Sequence, residues 1–103
     1  MGGYMDQETL LRAIWSMMGR QSFTEADVLQ IVAPKGKSET QIAAYNMCDG
    51  EQIQANIVKA LKLDSSNFSK TLSRWVDAGI VIRLGDKGEK PLHVYPLTKE
   101  NVK

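Results

Sequence analysis

The stretch "LKLDSSNFSKTLSRWVDAGIVIRL", residues 61–84, carries the most structural information per residue in the chain. Stepping about 100° per residue from Phe68 gathers Leu72, Trp75 and Val76 into one arc. Ser66, Asn67, Lys70, Ser73, Arg74 and Asp77 fall in the opposite arc. This spacing predicts a helix that begins at Ser65 or Ser66, is capped by Asp64 or Ser65, and ends at Gly79, where a positive φ costs little. Ile80, Ile82 and Leu84 then alternate, the pattern of a half-buried strand. A polar helix face of this kind is either idle solvated surface or a surface built to touch something polar, and the flanking sequence has to decide between them.

Immediately upstream, "DGEQIQANIVKALKL" repeats the helix signature, with Asp49 as cap, Gln52 at the third helical position, and Ile53, Ile57, Val58 and Leu61 on one face. The link "KLDSS" is too short to be anything but a tight connection, so the two helices form a helix-turn-helix. Further upstream, "SETQIAAYNMC" pairs Ser38 with Gln41 as a capping box ahead of Ile42, Tyr45 and Met47. "SFTEADVLQIVAP" offers Thr24 and Asp27 as a second box, Phe23 and Val28 as a hydrophobic staple, and Pro34 as a stop. A first helix is capped by Asp6, carries Leu10, Leu11, Ile14, Trp15 and Met18 at helical spacing, and ends at Gly19. Downstream, "GDKGEK" is a turn and "PLHVYPLT" a returning strand, with Leu92 and Val94 on one face and His93 and Tyr95 on the other. Arg83 and His93 are expected on the exposed face of this hairpin.

The expected fold is therefore α+β, mainly α, in one domain over residues 1–103. N-terminal helices occupy 1–48, a helix-turn-helix 49–79 and a two-stranded β-hairpin wing 80–98. A chain of 103 residues can bury one modest core without disulfides or metal. With 43% hydrophobic and 24% charged residues it has the balance of a globular rather than a disordered protein. No apolar run approaches the roughly 18 to 20 residues that a membrane span requires, and the start "MGGYMDQET" has no basic region followed by an apolar one, so a cytoplasmic protein is expected. Cys48 is alone, which rules out an internal disulfide, and it is read as a small core residue. The net charge of +1 hides an asymmetry. Residues 1–49 hold four Lys/Arg against six Asp/Glu, a net of −2, whereas residues 50–103 hold nine against six, a net of +3. The cationic half contains the opening stretch, which leans towards a polyanionic partner.

Taken together, "QIQANIVKALKLDSSNFSKTLSRWVDAGIVIRL", a Gly/Asp/Lys turn and "VYPLT" resemble the winged-helix domain of MarR-like transcriptional regulators. The resemblance runs from Gln52 to Thr98 and rests on Gln54, Leu61, Leu63, Ser65, Ser66, Ser69 with Lys70, Gly79 with Ile80 and Val81, and the exit pair Leu97 and Thr98. It departs from the family pattern at Val58, where a small alanine is usual, and at Asn101, where a glycine commonly follows. The family's long C-terminal helix has no counterpart after Thr98, so a homodimer is expected to use the N-terminal helices.

The resemblance implies sequence-specific binding of double-stranded DNA by a prokaryotic transcriptional regulator, with the second helix of the helix-turn-helix in the major groove. Short polar side chains at its N-terminal end can approach base edges while the positive end of its dipole faces phosphate. On that reading Ser65, Ser66 and Asn67 are base-edge or near-phosphate candidates. Ser69, Lys70, Ser73 and Arg74 continue the surface, and Lys70 and Arg74 reach guanine or phosphate. Lys87 and Lys90 contact backbone or minor groove from the wing, and Lys59 and Lys62 add flanking contacts. Two other readings stand beside it. A winged helix also serves as a protein-interaction module or as a fragment of a larger regulator, and an apolar first helix carrying Trp15, Met17 and Met18 suits that role. An enzyme is not expected: one His and one Cys supply no metal site or nucleophile–base pair, and "GDKG" does not open a helix. No cofactor, no metal and no membrane partner are expected.

Overall fold

Asp64 decides where the central helix begins. Its carboxylate accepts the amide of Asn67 at 2.8 Å, satisfying one of the donors that a helix N-terminus leaves open, and α5 follows as Ser65–Ala78. Gly79 terminates it in the left-handed region at φ 88°. In the computed structural model, which describes residues 7–34 and 39–97, four helices precede α5: α1 (Gln7–Ser22), α2 (Glu25–Val32), α3 (Glu39–Asn46) and α4 (Gln54–Leu61). Two strands follow it, β1 (Val81–Leu84) and β2 (Lys90–His93), paired antiparallel with Val81 opposite His93 and Leu84 opposite Lys90. Among the described residues the chain is thus mainly helical with a two-stranded antiparallel sheet, the α+β class expected. Asp6 and Ser38 as caps, the loop after Pro34, Thr98 and Asn101 lie outside the described residues.

The core is built where these elements converge. Phe68, Leu72 and Trp75 of α5 are buried together with Val28 and Val32 of α2, Ile42 and Tyr45 of α3, and Ile57 of α4. Tyr45 and Phe68 both meet Trp75 edge-on, with ring centroids 5.7 and 6.0 Å away, a favoured aromatic arrangement. The capping box of α2 is complete: the Asp27 amide donates to the Thr24 hydroxyl and the Thr24 amide to the Asp27 carboxylate. Cys48 is fully buried. Its thiol donates to the Ala44 carbonyl at 3.3 Å, and burial pushes its pKa up to about 12.

Four expectations are corrected. First, Gly19 does not end α1, which runs on to Ser22. Gly19 is buried because α1 crosses residue 94 there, and a Cβ on Gly19 would lie 2.5 Å from that of Val94. Secondly, Leu10, Leu11, Ile14 and Met18 share a face as expected, but that face is exposed, and of the residues read as one stripe only Trp15 packs on the core.

Thirdly, Asp49 does not cap α4. Its carboxylate accepts the amides of Glu51 and Gln52 in the preceding turn, and Asp49 itself forms a β-bridge to Leu92. The Gly50 amide donates to Pro91 O and the His93 amide to Cys48 O, so residues 48–50 flank β2 on the side away from β1. Ile53 is left as an N-cap with no side-chain hydrogen bond. Fourthly, β2 stops at His93, and Val94 and Tyr95 are both buried rather than alternating. Two side chains at the end of α3 fix this segment: Tyr45 Oη donates to Tyr95 O at 2.8 Å, and Asn46 both donates to Leu97 O and accepts from the Leu97 amide. On β1, Val81 and Leu84 are buried and Ile82 is partly so, with Ile80 buried just ahead of the strand.

Candidate functional site

Burying Phe68, Leu72 and Trp75 forces the other side of α5 outward. Ser65, Ser66, Asn67, Ser69, Lys70, Ser73 and Arg74 are all exposed, and Ser66, Asn67, Lys70, Ser73 and Arg74 lie on the side of α5 opposite its buried stripe. The connection that aims it, residues 62–64, is short because Lys62 adopts the left-handed conformation at φ 54°, which costs a non-glycine residue roughly 1–2 kcal/mol. The Leu63 amide then closes on Val58 O at 2.9 Å, turning the chain from α4 into α5. Lys59 and Lys62 are exposed on the α4 side of this turn.

The hairpin contributes differently from expectation. Lys87 is exposed in the turn, but Lys90 is partly buried as the first residue of β2. Asp86 and Glu89 alternate with these lysines, which leaves the tip without net charge. Glu89 folds back to accept the Lys87 amide at 2.9 Å. Hydrogen bonds from its own amide and from that of Lys87 hold its carboxyl below the usual range. The base of the hairpin is tied to the helix pair, since the Gln54 amide at the start of α4 donates to Glu89 O at 2.9 Å.

Arg83, expected only as an exposed strand residue, also reaches α5. It is exposed on β1, and its guanidinium donates to Ser73 Oγ at 3.1 Å, which lays a third cation beside Lys70 and Arg74. The signal was present only in combination. Gly79 reverses the chain so that β1 returns along α5, and an outward residue two after Val81 then meets a residue on the helix's outer face. His93, expected on the exposed face, is partly buried instead. Its ring lies 5.2 Å from that of Tyr45, Trp15 Nε1 donates to its carbonyl at 3.1 Å, and its buried Nδ1 has no hydrogen-bond partner. Burial lowers its pKa.

Hydroxyls, one carboxamide and three cations are suited to phosphate oxygens and base edges. Among the described residues no group of three or more His, Cys, Asp or Glu could hold a metal ion, and no helix is long and apolar enough to cross a membrane. Comparison with protein-family models, with curated proteins and with solved structures gives no match.

Proposed function

We propose that the chain is a winged helix-turn-helix protein of MarR-like type that binds double-stranded DNA sequence-specifically, acting as a cytoplasmic transcriptional regulator rather than an enzyme. The observation that carries this reading is the continuous exposed face of α5, where Lys70 and Arg74 are joined by Arg83 through Ser73. The order of elements supports it: α3, the bridging residue Asp49, α4, a three-residue turn, α5, and then the hairpin. In this reading α5 enters the major groove. Ser65, Ser66 and Asn67 face base edges near its N-terminus. Ser69, Lys70, Ser73, Arg74 and Arg83 follow the phosphates, and Lys87 and Lys90 approach the backbone from the hairpin.

The test is fluorescence anisotropy with a pool of random duplex DNA across a salt series. Five cations on phosphate per chain, Lys70, Arg74, Arg83, Lys87 and Lys90, give a slope of log affinity against log salt of about −4.5 per chain, or about −9 for a pair of chains on one site. Lys70→Ala/Arg74→Ala should reduce the slope by about two units per chain. Binding that is absent, or insensitive both to salt and to this double substitution, contradicts the proposal.

A further inference from the structure

The face of α1 that meets the rest of the molecule is held by polar anchors. Arg12 donates to Asp49 O and Gly50 O and pairs with the Glu51 carboxylate at 2.9 Å. Trp15 bonds His93 O, Gly19 lies against Val94, and the Arg20 guanidinium sits 5.2 Å from the Tyr95 ring centroid. The opposite face carries Leu10, Leu11, Ile14, Met17 and Met18, from 45% exposed at Ile14 to 61% at Met17. This inverts the ordinary surface helix, whose apolar stripe faces its own core.

We propose that a second copy of this chain covers this face, α1 packing on α1 in antiparallel orientation about a two-fold axis beside Ile14. Four features select this occupant. Gln7, Leu10, Ile14, Met17 and Gln21 are spaced three, four, three and four residues apart, the repeat by which one helix seats along another.

The pattern is also palindromic. Reversing the helix about Ile14 exchanges Leu10 with Met18, Leu11 with Met17 and Gln7 with Gln21, the self-complementarity that a two-fold interface requires. None of these seven positions is charged, so two copies meet without like-charge repulsion. A lipid surface is disfavoured because Arg12 and Arg20, the cations that would flank the apolar stripe, are turned towards the protein's own backbone and Tyr95. At about 150–200 Å² for each fully exposed side chain of this size, the five apolar residues offer about 400–500 Å² per chain, so two copies bury close to the roughly 1,000 Å² at which specific interfaces begin. The pair is accordingly a weak, concentration-dependent dimer.

Sedimentation velocity on the full chain from about 1 to 200 µM tests this, alongside Ile14→Glu. The expected result is a shift towards twice the 11.5 kDa chain mass as concentration rises, abolished by Ile14→Glu without change in the circular dichroism spectrum. A chain that stays monomeric throughout, or a dimer that survives Ile14→Glu, overturns the proposal. Orientation is read by oxidative cross-linking. Ile14→Cys should form a covalent dimer, Gln7→Cys alone should not, and Gln7→Cys combined with Gln21→Cys should. Cross-linking by Gln7→Cys alone overturns the antiparallel arrangement. This test is independent of DNA binding.

Discussion

Helices α1 and α5 each carry an apolar stripe but use it in opposite directions. In α5 the apolar stripe of Phe68, Leu72 and Trp75 points inward and the polar residues face solvent. In α1 the inward side is Arg12, Trp15 and Gly19, and the outward side is leucine, isoleucine and methionine. Periodicity therefore identifies which residues share a face, whereas only the rest of the fold identifies what covers that face. The two exposed surfaces that result are chemically distinct, one cationic and hydroxyl-rich and the other uncharged and apolar, and the account assigns them different partners.

The sharpest way to break this contrast is by truncation. Trp75→Ala should lower unfolding free energy by about 3–5 kcal/mol, because its ring is fully buried between Tyr45 and Phe68. Met17→Ala should change it by no more than about 0.5 kcal/mol in dilute solution. Urea denaturation measures both, and comparable losses would mean that α1 packs on the core as α5 does.

Gly19→Val comes next. Its Cβ would meet Val94 at 2.5 Å, so the substitution should cost about 1–3 kcal/mol by overpacking and speed proteolysis within α1 before α5 is cut.

On the α5 side, Arg83→Ala should flatten the salt dependence of DNA binding by about one unit. Ser73→Ala, which removes an uncharged hydroxyl and with it the hydrogen bond that positions the guanidinium, should leave most of that slope and weaken binding slightly. Equal effects of both on the slope would mean that Arg83 reaches phosphate only when Ser73 holds it.

The smallest effect is on pH. Burial holds the folded pKa of His93 below its ordinary 6.5, so the folded chain takes up this proton less readily than the unfolded one. Its contribution to stability is present above pH 6.5 and is lost as pH falls below that value. His93→Gln should reduce the loss of stability between pH 7 and 5, as read from thermal midpoints. An unchanged profile would assign the acid sensitivity to other groups.

Much of α5 was legible because its determinants are local. Asp64, the stripe beginning at Phe68 and Gly79 all act within the helix they bound, and the capping box of Thr24 and Asp27 is local in the same sense. The failures involve partners distant in sequence. Asp49 looks like a helix cap until Leu92, 43 positions later, draws it into a bridge. Gly19 looks like a terminator until Val94 lies across it. Arg83 looks like an idle strand residue until β1 returns along α5 and Ser73 receives its guanidinium. The hairpin lysines were seen in sequence, but not that Lys90 is partly buried or that Glu89 turns its carboxylate back into the loop between them.

The most direct measurement is a titration of the isotope-labelled full chain with duplex DNA, followed residue by residue in amide correlation spectra. The predicted result is a set of shifts concentrated in residues 65–74 with Arg83 and Lys87, increasing at low salt. Shifts confined to α1, or no shifts at low salt, would contradict the assignment of α5 as the DNA-binding surface.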